Sequence, residues 1–83
     1  MKLDLRRAVQ LLENGEWEAA HTIVQEDEDS RLFCWAHGIV HIVEGDRSNA
    51  RYWYRKAGRP FGQDTSAPEE IKALKAELGQ ENK

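Results

Sequence analysis

Residues 31–58 read RLFCWAHGIVHIVEGDRSNARYWYRKAG. The first half carries Leu32, Phe33, Trp35, Ala36, Ile39, Val40, Ile42 and Val43, all within about three helical turns. A helix that is apolar on every side is normally buried on every side. This one is therefore expected at the centre of the fold, with the other helices laid around it. Gly45-Asp46 breaks the run, and a second helix is expected to run back over 46–58. The pair reads as an antiparallel helical hairpin, 30–58.

The N-terminal side repeats this plan. Leu3, Leu5, Ala8, Val9, Leu11 and Leu12 fall on helical spacing, and Asn14-Gly15 stops the helix. Trp17, Ala20, His21 and Val24 then mark a second stripe, about 16–26. The first hairpin is thus expected over 3–26. The acidic run Glu26-Asp27-Glu28-Asp29 is unfavourable at a helix C-terminus but suits the start of the next helix, where Asp29 or Ser30 can cap. Beyond Gly58-Arg59-Pro60-Phe61-Gly62, which cannot continue a helix, Pro68 and Glu69-Glu70 suit a first turn. Ile71, Leu74 and Leu78 give a fifth helix over 67–79, with Gly79 as its stop and residues 80–83 expected to fray. No segment alternates with a period of two, so no sheet is expected. The fold class is all-α: five short helices, two hairpins and a closing helix, in one domain spanning 1–83.

Composition narrows the function classes. Hydrophobic residues are 40% and charged residues 33%, which suits a globular domain rather than a disordered chain. The net charge of −3 argues against bulk attraction to nucleic acid. The single cysteine, Cys34, excludes an intrachain disulfide and fits a reducing compartment. The opening MKLDLRRAVQLLENG intersperses charges, so neither a signal peptide nor a membrane span is expected, and the cytoplasm is the default location. With so few residues, Trp17, Phe33, Trp35, Trp53 and Phe61 make a large apolar load. An open-ended stack could cover such a load by forming a homodimer.

The two hairpins align at an offset of 30: Gly15 with Gly45, Glu16 with Asp46, Ala20 with Ala50, Val24 with Tyr54 and Asp27 with Ala57. The small residue five positions after each glycine lets two helices approach closely. On Gly38, Gly45, Ala50, Tyr54 and Ala57 the second hairpin resembles a tetratricopeptide or Sel1-type repeat. The first hairpin carries Gly15, Trp17 and Ala20 of the same pattern. The chain departs from it in a spacing shorter than the usual 34 or so residues, and in Cys34 and His37, which replace an aromatic and a leucine. The stretch 37–58 is also similar to short bacterial proteins of unassigned function. The resemblance implies a non-enzymatic protein-interaction module without a cofactor. It would bind a peptide or acidic partner, and such stacks use the groove between the first helices of their hairpins.

Two constellations could carry chemistry. Arg47, Arg51, Arg55 and Arg59 recur every four residues and form one basic edge, with Tyr52 beside it. Residues 47–63 contain no acid, whereas residues 13–30 contain no Lys or Arg. Arginine binds carboxylate and phosphate bidentately, so Arg51, Arg55 and Tyr52, with Arg47 and Arg59, are the candidate binding residues. The plainer reading is a solvated face paired in part with the acidic run. The second constellation is His37, His41 and Glu44, at i, i+4 and i+7 on one helix face. It could hold a metal, with His21 approaching from the second helix, and so make this a small metal- or ligand-binding protein. The competing expectation is that His37 and His41 are half-buried groups bonded to neighbouring helices, with no metal. Cys34, on the most apolar helix, is expected to be inert.

Overall fold

A computed structural model describes residues 2–81, and their side chains from 4 to 79. It is all-α: α1 (Lys2–Glu13), α2 (Trp17–Val24), α3 (Arg31–Glu44), α4 (Arg47–Ala57) and α5 (Ala67–Glu81), with no strand among the described residues. The side chain of Leu3 lies outside the described residues, as do Asn82 and Lys83, where fraying is expected from the sequence.

The two hairpin turns are built alike. Gly15 and Gly45 both take a left-handed φ, of 78° and 97°. Each glycine N–H bonds back to Leu12 or Ile42, and the next N–H to Leu11 or His41. This double closure satisfies the last free carbonyls of the helix. Asp46 then caps α4 through the Asn49 N–H, and Ser30 caps α3 through the Phe33 N–H. The loop before α3 is tied by Asp27, whose carboxylate accepts from the N–H groups of Asp29 and Ser30.

Helix α3 is the centre, as its composition requires. Every residue from Leu32 to His41 is buried, and the helix packs on α1, α2, α4 and α5. Its closest approach is to α4 at Gly38. A Cβ there would collide with the edge of the Tyr54 ring and lie 3.3 Å from the Ala50 carbonyl. Ala50 and Ala57 are buried on the same face of α4, with Trp53 and Tyr54.

Two boundaries differ from the sequence reading. Helix α2 is shorter, because it ends at Val24 before the acidic run begins. Helix α5 continues through Gly79 to Glu81. Gly79 does not take a left-handed φ, and the Arg6 guanidinium reaches across to donate to the Leu78 carbonyl, so this glycine does not stop the helix. Helix α5 closes the fold by packing on both α1 and α3, and buries Ile71, Leu74 and Leu78. No helix among the described residues is long and apolar enough to cross a membrane.

Candidate metal centre

The chain has three histidines, and the fold brings all three together. His21 arrives from α2, and His37 and His41 from successive turns of α3. Their ring centroids form a near-equilateral triangle with sides of 5.0, 5.3 and 5.1 Å. One nitrogen from each ring lies within 4.8 Å of the other two. His37 and His41 are only 4% and 6% exposed, while His21 is half-buried. The cluster is therefore closed on the α3 side and reachable from the α2 side.

Each α3 histidine is oriented by a different device. The His41 Nδ1 lies 2.7 Å from Glu44 Oε1. An ionised carboxylate only accepts, so Nδ1–H donates to Glu44 and Nε2 is the nitrogen left for another partner. Such carboxylate–imidazole pairs fix the tautomer of metal-binding histidines. His37 is stacked on Trp53, with centroids 3.8 Å apart and planes 9° from parallel. Its Nδ1 is buried and has no hydrogen-bond partner. Burial, reinforced by His41, His21 and Lys56, lowers the His37 pKa to about 3. At neutral pH this imidazole is therefore uncharged, the form that binds a metal.

The expectation that His37 and His41 bond to neighbouring helices is corrected here. His41 bonds within its own helix, and the Nδ1 of His37 has no bond. Ligand atoms within 4.8 Å of one another group His21 with His37 and His41, and separately His41 with Glu44 and Asp46; Glu44 itself contacts His41 Nδ1. The i, i+4 spacing marks His37 and His41, and His21 is a candidate from the second helix; the α2–α3 packing brings it within 5.0 and 5.3 Å of the other two rings.

The basic edge divides. Arg47 donates to the carbonyls of Thr65 and Gly62, at 3.1 and 2.8 Å, and lies over the Phe61 ring. Arg59 lies 3.8 Å over Trp35 and donates twice to Glu70. Both are thus engaged in holding the 58–66 loop and α5. Arg51, Tyr52 and Arg55 are exposed on the outer side of α4, and Tyr52 is the exposed large hydrophobic residue, at 52%. The carboxylate on this edge belongs to Glu70, not to the acidic run at 26–29.

Glu70 is the polar group that sequence reasoning missed. Its carboxylate accepts from Trp35 Nε1 at 3.0 Å, from the Tyr54 hydroxyl at 2.8 Å, and from Arg59 Nε and Nη2 at 2.8 and 3.1 Å. Burial opposes its charge, but donation by Arg59, Tyr54 and Trp35 outweighs burial and lowers its pKa. Burial and the Glu70 bond push the Tyr54 phenol upward, so it stays protonated as a donor. Cys34 is buried, and burial raises its pKa, so it is not an activated nucleophile. Its Sγ lies 3.2 Å from the Glu28 carbonyl.

In comparisons with known proteins, no family model, no curated protein and no solved structure matches this chain.

Proposed function

We propose that the chain is a small metal-binding module that holds one divalent transition ion on His21, His37 and His41. One observation carries this reading: a buried, unpartnered imidazole nitrogen, His37 Nδ1, in a cluster that gathers every histidine of the chain. Buried polar atoms are nearly always paired, and an orphan usually has a ligand or a functional reason. Three imidazole ligands suit zinc, copper, nickel or cobalt rather than magnesium or calcium, which prefer oxygen. At a Zn–N distance of about 2.1 Å, tetrahedral nitrogens sit about 3.4 Å apart, and the three nitrogens here lie within 4.8 Å of one another. Three protein ligands leave the fourth position open to water or an external ligand, and the half-buried His21 side gives an entry path. Glu44 then acts as the positioning partner of His41.

Calorimetric titration of tag-free, chelator-treated protein with zinc tests the reading. One ion per chain is expected, with binding lost in His37→Phe and His41→Ala. Absence of saturable binding, or binding unchanged in both variants, would overturn it.

A second reading has its own observation. Helix α5 lies on α1 and α3, the two helices that would form a peptide groove in a repeat stack. The exposed face of Arg51, Tyr52 and Arg55 is the surface left for an acidic peptide, with Arg47 and Arg59 bracing it from the loop side. Titration with an acidic peptide should shift amide signals in α4 and weaken with salt. Shifts confined elsewhere would exclude this face.

A further inference from the structure

Helix α2 is shorter than α3 and α4 and lacks the side-chain cap that each of them has. It has eight residues, and helices shorter than about 12–15 residues are marginal without tertiary support. Its N-cap residue, Glu16, makes no side-chain capping bond, whereas Ser30 and Asp46 cap α3 and α4. Glu26, Asp27, Glu28 and Asp29 follow its C-terminus, where negative charge opposes the helix dipole. It packs on α1 and α3. Its fully buried side chains are the small residues Ala20 and Val24, helped by the partly buried Trp17 and Ile23.

The histidine trio is divided across this difference. His37 and His41 sit on the most buried helix, α3, while His21 sits on α2. We infer that α2 is an ordering switch: the ion, by taking His21 as its third ligand, clamps α2 onto α3, and the metal-free chain opens there first. The inference rests on the metal-binding reading. The thermodynamic basis is linkage. A state with α2 detached keeps two ligands and binds the ion more weakly, so the ion disfavours that state by the ratio of the two affinities. Local opening of this kind is read directly by amide hydrogen exchange.

The test is hydrogen exchange on metal-free and zinc-saturated protein, with zinc occupancy measured in the same samples. In the metal-free chain, amides of residues 20–24 should exchange at least about ten-fold faster than those of residues 36–42. Zinc should slow the α2 amides by about ten-fold or more. In His21→Ala that gain should vanish, even if His37 and His41 retain weak zinc binding. If zinc binds at one per chain and the α2 amides do not respond, the switch is wrong and the metal site stands. The same holds if α2 is already as protected as α3 without metal. If no zinc binds, the site itself fails and the switch with it.

Discussion

Trp53 and Tyr54 are neighbours on α4 and face two different polar clusters in one core. On the Tyr54 side, Glu70 accepts four hydrogen bonds from three residues, and each of those donors ends on it. On the Trp53 side, three imidazoles converge and one buried nitrogen has no bond. The first cluster is satisfied internally and joins α5 to the α3–α4 hairpin. The second leaves His37 Nδ1 without a hydrogen-bond partner among the described residues. A buried polar group that is fully bonded supports a fold, and one left unbonded costs stability that its function must justify. The difference sets a polar network whose bonds close within the fold beside a histidine cluster with one unbonded buried nitrogen.

The largest effect is expected from Glu70→Ala. It leaves the Trp35 N–H and the Tyr54 hydroxyl without an acceptor, and Arg59 without its counter-charge. Destabilisation by about 3–4 kcal/mol is expected in urea unfolding. The figure is held down because the Arg59 side chain is 30% exposed. A loss below 1 kcal/mol would mean the network is not structural.

Next is Gly38→Leu. The Tyr54 ring cannot retreat, because its hydroxyl is held by Glu70 and its ring by Phe61, 5.0 Å away. Overpacking should cost about 2–3 kcal/mol, measured as a lower melting temperature.

The pH dependence of stability should also separate the clusters. The folded pKa of Glu70 lies below its ordinary 4.5. Its contribution is therefore complete above pH 4.5 and lost as pH falls through the folded value. The stability gap between wild type and Glu70→Gln should narrow between pH 6 and pH 3. A gap that is constant across that range would contradict the charge-assisted bonding.

The smallest effect should come from His37→Phe in metal-free protein. The substitution removes an orphan polar atom and keeps the stack on Trp53, so stability should change by no more than about 1 kcal/mol in either direction. A loss like that of Glu70→Ala would show that His37 is a satisfied structural group, and the contrast between the clusters would break.

Much of the fold was legible because its signals are local. The all-round apolar run in α3 marks the centre, and the glycines at 15, 45 and 58 mark the stops. The Ala50, Tyr54 and Ala57 spacing marks the close crossing with Gly38. What escaped depends on contacts far apart in the chain. Glu70 looks like an ordinary helix-start acid, yet it meets Trp35, 35 positions away. Gly79 looks like a stop because its neighbour across space, Arg6, is invisible to a local pattern. His37 and His41 were visible as an i, i+4 pair. His21 reads both as part of the α2 stripe and as a candidate third group from that helix, and the α2–α3 packing supplies its distances to the other two rings. Glu44 shares the face of the pair, and its carboxylate lies 2.7 Å from His41 Nδ1.

The most direct test of the histidine site is X-ray absorption at the zinc edge on tag-free protein loaded with one equivalent of zinc. We expect three imidazole nitrogens at about 2.0–2.1 Å, with the outer-shell scattering of histidine rings, and one further light atom. His21→Ala should remove one imidazole from that shell. A coordination sphere of oxygens alone, or an imidazole count unchanged by His21→Ala, would contradict a metal centre built on His21, His37 and His41.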